Sequence, residues 1–82
     1  MPYPVLYHTM TRRQLEVLKL LAEGKSNVQI AVALGIDVNT VRNHQTAIYR
    51  ALGLKQQGIG TKRVNAAFWY ERHREQIEQV LS

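Results

Sequence analysis

The chain has 82 residues and no cysteine, and its 11 Lys and Arg against 6 Asp and Glu give a formal net charge of +5. That length holds one small domain burying roughly 60% of its unfolded surface, and without cysteine neither a disulfide framework nor a thiolate metal site can reinforce so thin a core. No apolar run approaches the ~18 residues of a membrane span, and the opening MPYPVLYHTM lacks the basic region of a signal peptide, so an intracellular, cytoplasmic protein is expected.

The charge is unevenly spread. Residues 1–34 carry four bases and two acids, residues 35–63 five bases and one acid, and residues 64–82 two bases and three acids. A basic middle in a small domain points to a polyanionic partner.

The first predicted helix spans about 12–23. TRRQ, Thr11 to Gln14, is a capping box, in which the Thr hydroxyl accepts from the Gln14 amide and the Gln side chain reaches back. Met10 and Leu15 can form the accompanying hydrophobic staple. A second box, SNVQ from Ser26 to Gln29, opens a helix over about 27–34. Asp37, whose charge suits the positive end of a helix dipole, opens a third over about 38–52. Each of these helices runs into a glycine, at Gly24, Gly35 and Gly53, the residue that most readily ends a helix in the left-handed conformation.

Only Gly-Ile-Asp separates the second helix from the third. A short helix, a tight glycine-containing turn and a longer helix form the helix-turn-helix pattern. Its expected core is Val17, Leu18, Leu21, Ile30, Ala31, Leu34, Ile36, Val41, Ile48 and Leu52. KQQGIGTKR reads as a polar loop, and a fourth helix is expected over about 64–81, extending to the C-terminus. The expected fold is therefore all-α, a single four-helix domain over residues 1–82.

The third helix carries the candidate site. On a 3.6-residue period Val41, Ile48 and Leu52 face inward, while Asn39, Arg42, Asn43, Thr46 and Arg50 share the opposite stripe, with no acid after Asp37. A helix of this width fits the DNA major groove, where Arg bonds guanine, Asn bonds adenine and the Thr methyl meets that of thymine. Asn39, Arg42, Asn43 and Thr46 are thus candidate base contacts, and Arg50, further along, a phosphate contact. His44, at the edge of the stripe, and Lys55, beyond the helix, join it as phosphate candidates.

Residues MTRRQLEVLKLLAEGKSNVQIAVALGIDVNTVRNHQTAIYRALGL resemble the DNA-binding domain of the LuxR/GerE family of bacterial transcription regulators. The family's Thr-x-Arg-Glu and Glu-Val-Leu stand here as Thr11, Arg13, Gln14, Glu16, Val17 and Leu18, followed by LLAEGKSN, Ile30-Ala31, LGI, TVRNH, Ile48, Leu52 and Gly53. The resemblance covers about residues 10–70. It implies a four-helix domain whose third helix enters the major groove of bacterial nucleoid DNA and whose fourth pairs two copies. It places Arg42, Asn43 and Thr46 at positions that often face bases, and Thr40, Lys25, Ser26 and Asn27 at positions that tend to meet phosphates.

Four departures stand out. Val28 and Gln29 replace a frequent Lys-Glu pair, Ala51 replaces a common Lys, and the loop before Arg63 is about six residues longer than usual. No receiver or ligand-binding domain precedes the module, so a stand-alone regulator is expected.

Pairing is expected through the last helix, where Tyr70, Ile77 and Val80 share a stripe flanked by Trp69 and Leu81. About two heptads are too short for an independent coiled coil, so such a homodimer would be weak alone and strengthened by DNA. The functional expectation is a sequence-specific, homodimeric regulator of transcription on double-stranded DNA. The alternative is an interaction protein that pairs with a full-length LuxR-type regulator through its C-terminal helix and blocks it. Another LuxR-type regulator and RNA polymerase are the further partners considered.

Other chemistry finds little support. His8, His44 and His73 are too scattered for a metal site, GIGTK lacks P-loop spacing, and Phe68-Trp69-Tyr70 reads as core or dimer packing. With no acid–base pair and no partnered nucleophile, neither an enzyme nor a cofactor is expected.

Overall fold

A computed structural model describes residues 10–54 and 56–82. Among the described residues five helices follow one another: α1 Arg12–Ala22, α2 Asn27–Leu34, α3 Val38–Ala51, α4 Ile59–Arg72 and α5 Arg74–Leu81. Among the described residues there is no strand, and no helix is long and apolar enough to cross a membrane.

Local sequence determines the first three helices. Thr11 and Gln14 form both halves of the capping box, at 3.1 Å and 2.9 Å. Ser26 and Gln29 repeat it at 3.1 Å and 2.8 Å. Gln29, which stands where the family often has Glu, thereby supplies the reciprocal acceptor without charge. Asp37 Oδ1 accepts from the Thr40 amide at 2.8 Å. The helix stops share a bond reaching five residues back, from Lys25 to Leu20, Ile36 to Ala31 and Leu54 to Tyr49, which satisfies carbonyls that the helix ends would leave orphaned. At Gly35 the reversal between α2 and α3 requires φ of +68°, where a Cβ would be strained.

α1 is the central support, with α3, α4 and α5 packed against it and α2 against α3. Val17, Leu18, Leu21, Ile30, Ala31, Val41 and Ile48 are buried as their periodicity predicts, while Leu34, Ile36 and Leu52 are half-buried at its margin. Met10, Leu15, Tyr49, Ala66, Tyr70 and Ile77 complete the core.

The C-terminal third differs from the sequence reading in two ways. α4 begins at Ile59, so most of the supposed long loop is helix. Gly60 disfavours that start by about 1 kcal/mol relative to Ala, but tertiary bonds oppose the cost. Arg63 bonds Asn27 and the Lys25 carbonyl, and Asn65 Nδ2 donates to Gln57 Oε1 at 2.8 Å.

The second difference is a break at His73, which splits the expected 64–81 helix in two. His73 ends α4 with φ −116° and ψ 15° and begins α5. Its ring stacks on Trp69 with centroids 4.0 Å apart, and its Nδ1 lies 2.9 Å from the Trp69 carbonyl. The break turns α5 back across α1, burying Ile77 completely.

Candidate nucleic-acid interface

α3 presents its two faces as the period requires. Val41, Gln45, Ile48 and Tyr49 are buried, and Asn39, Arg42, Asn43, Thr46 and Arg50 are all exposed. Two internal bonds order the exposed face. Arg42 Nη1 donates to Asn39 Oδ1 at 3.3 Å, and the Thr46 hydroxyl donates to the Arg42 carbonyl at 3.0 Å. His44 and Thr40 are half-buried at the margins of the stripe.

An open groove of about 480 Å³ adjoins this face. Its walls include Lys25 and Ser26 from the α1–α2 turn, Asn27 from the start of α2, Arg42 from α3 and Arg63 from α4. Among the described residues Lys19, Lys25, Arg42, Arg50, Lys62, Arg63 and Arg72 have no carboxylate within ion-pair distance. Of these, Lys25, Arg42 and Arg63 line this groove, while Arg50 lies on the exposed stripe of α3. The pairs that do form lie elsewhere, Arg12 and Arg13 with Glu16, and Arg74 with Glu71 and Glu78. Three unpaired cations thus share the groove, and the structure brings Lys25, Ser26, Asn27 and Arg42 together there. Lys55, the remaining phosphate candidate, lies outside the described residues.

Four residues around this surface escaped the sequence reading. Gln45, the one buried polar side chain among the described residues at 6% exposure, donates from Nε2 to Asn27 Oδ1 at 2.7 Å. A signal existed, since Gln45 falls in register with Val41, Ile48 and Leu52. A polar residue on the inward stripe needs a buried partner. Arg63 and Lys62 enter because α4 starts early. Lys62 Nζ lies 5.4 Å from the centroid of the Tyr49 ring, within cation–π range. Burial pushes the Tyr49 hydroxyl above its usual pKa, an effect opposed by the nearby Arg63 charge.

The expected dimer stripe is not available as drawn. Tyr70 is 2% exposed and Ile77 0%, both inside the monomer core. Tyr70 lies with Ala66 on the buried face of α4, which packs on α1, and Ile77 is buried because the break at His73 folds α5 onto α1. Val80, Leu81 and Trp69 are half-buried against that core. The exposed apolar residues of α4 are instead Ile59, Val64 and Phe68. Phe68 and Trp69 line a groove of about 210 Å³ with Leu52, Leu54, Asn65 and Arg72.

Comparison with known proteins agrees with this geometry. The family model for bacterial regulatory proteins of the luxR family matches residues 8–58, more than half of the chain. The chain is also similar to the oxygen regulatory protein NreC of Staphylococcus aureus strains JH9, USA300 and MSSA476. Each is 41% identical over 51 residues, which are 62% of this chain and 24% of the relative. The chain therefore spans about a quarter of the length of the curated relatives it matches. No solved structure matches. With α2, its tight turn and α3 lying inside the matched segment, the chain belongs to the luxR family of bacterial regulatory proteins and carries a DNA-binding helix-turn-helix domain of transcription regulation.

Proposed function

We propose that this domain binds duplex DNA sequence-specifically, with α3 in the major groove and two copies on paired half-sites, in the bacterial cytoplasm. The single observation that carries the reading is the exposed, acid-free stripe of Asn39, Arg42, Asn43, Thr46 and Arg50 on α3, set beside the unpaired cations of the α2 groove. Arg42 supplies the paired donors that suit guanine, and Asn43 the donor and acceptor that suit adenine. The Thr46 hydroxyl proton is committed to the Arg42 carbonyl, which leaves its methyl to meet that of a thymine. Lys25, Ser26, Asn27, Thr40, His44 and Arg50 surround this centre and fix register on the phosphates.

Pairing follows from half-site economy, since one small module makes few base contacts and a second copy about one helical turn away supplies the rest. The α4 stripe of Val64 and Phe68, four residues apart and 53% and 59% exposed, is the surface we assign to that contact. Trp69 remains part of it through the adjoining groove.

Titration of a labelled duplex across a salt series tests the reading. Log affinity is expected to fall linearly with log salt concentration, by about 0.9 for each phosphate neutralised. A binding constant flat from low to physiological salt would overturn it and favour a protein partner, such as a full-length family member paired through α4.

A further inference from the structure

Asn27 is held from two sides. Gln45 Nε2 lies 2.7 Å from its Oδ1, and Arg63 Nη1 approaches the same oxygen at 3.3 Å while Nη2 bonds the Lys25 carbonyl. The chemistry of these groups removes any ambiguity about which way the amides point. A guanidinium is only a donor, so the Asn27 atom facing Arg63 is the carbonyl oxygen, and the Gln45 atom facing that oxygen is its NH2. With Oδ1 occupied by two donors, Asn27 Nδ2 has no hydrogen bond among the described residues, and Asn27 borders the open cationic groove.

We propose that Arg63 and Gln45 are positioning residues of the DNA interface, fixing the Asn27 amide so that Nδ2 donates to a backbone phosphate. The inference rests on the DNA-binding reading and deepens it. α4 thereby serves the interface through its first two turns, in the stretch that sequence reading takes for a long loop. Gln45 is too deeply buried to touch DNA, so any effect it has must pass through another residue. Arg63 bonds the backbone at Lys25 as well, which fixes the turn that carries Lys25, Ser26 and Asn27 as one unit.

The test is a double-mutant cycle on duplex affinity with Asn27→Ala, Arg63→Met and Gln45→Met, each checked for helix content and thermal midpoint. Each single variant is expected to weaken binding about 5-fold, the effect of one hydrogen bond. Asn27→Ala combined with Arg63→Met is expected to weaken it by the same factor and no further. The salt dependence of Arg63→Met is expected to match wild type, because Asn27 is neutral. In the free protein, the Asn27 side-chain NH2 resonances are expected to shift in both Arg63→Met and Gln45→Met.

Additive losses, with the log–log salt slope of Arg63→Met reduced by about 0.9, would make Arg63 itself a phosphate contact and overturn the proposal. Unmoved Asn27 resonances in Arg63→Met and Gln45→Met would overturn it without reference to DNA. A wild-type chain that binds no duplex would instead overturn the DNA-binding reading on which it rests, while the resonances still report whether the two side chains hold Asn27.

Discussion

Arg12 Nη1 lies 2.5 Å from the carbonyl oxygen of Val80, and Nη2 lies 2.7 Å from that of Leu81. One guanidinium at the start of α1 thus satisfies two carbonyls in the last turn of α5, where the helix dipole favours a cation. Arg12→Ala is expected to cost about 1 kcal/mol. The loss should be local, with amide exchange accelerating in α5 while α3 keeps its protection. Unchanged exchange in α5 would show that Ile77 packing alone holds the helix.

Tyr70 supplies a pH signature for the same region. Burial, reinforced by the nearby Glu78 charge and a 3.3 Å bond to its carboxylate, raises the Tyr70 hydroxyl to about 12. A folded pKa above the unfolded value means that the native state holds a proton the unfolded state releases. The associated stability is complete below about pH 10 and declines as pH rises from about 10 to about 12. Tyr70→Phe is expected to flatten that decline in urea midpoints measured against pH. Identical profiles would contradict the assigned coupling.

The α4 surface is open to a direct mutational contrast. Val64→Asp with Phe68→Asp changes exposed positions, so it is expected to leave helix content intact while abolishing cooperative binding to a paired site. Ile77→Asp puts a charge into the core and is expected to destabilise the fold by on the order of 4 kcal/mol. Light scattering across a concentration series, with and without a paired-site duplex, separates the two. Cooperative binding that survives the α4 double variant would exclude this face as the contact.

Where the determinants of structure are local, they were legible in the sequence. Thr11–Gln14, Ser26–Gln29 and Asp37 cap within one turn, and Gly24, Gly35 and Gly53 stop helices through their own backbone conformation. The exposed stripe of α3 follows from periodicity for the same reason. What was illegible depends on distant partners. Gly60 reads as loop until Arg63 is seen to bond residues near the start of α2, and nothing adjacent to His73 signals a break, since neither glycine nor proline stands there. Without that break Ile77 continues the stripe of Tyr70 along one helix; with it, Ile77 is folded into the core against α1, while Tyr70 is buried beside Ala66 on α4. Gln45 is intermediate, anomalous in its register but with a partner, Asn27, that only the fold reveals.

Base readout and backbone anchoring should separate cleanly. Arg42→Ala and Asn43→Ala are each expected to cost ~1–3 kcal/mol on the preferred duplex and to relax its sequence preference. Lys25→Ala is expected to weaken preferred and unrelated duplexes alike. Titrations of both duplexes at one fixed salt concentration check the contrast, and a Lys25 variant that loses affinity only for the preferred duplex would contradict it.

The acid-free face of α3 as the reader of sequence is tested most directly by selecting duplexes from a random pool with the purified wild type and with Arg42→Ala. The wild type is expected to enrich a defined half-site, and the variant to lose preference at a guanine-containing position while retaining the rest. Selection of the same sequence with the same affinity by both proteins would contradict the assignment of that face.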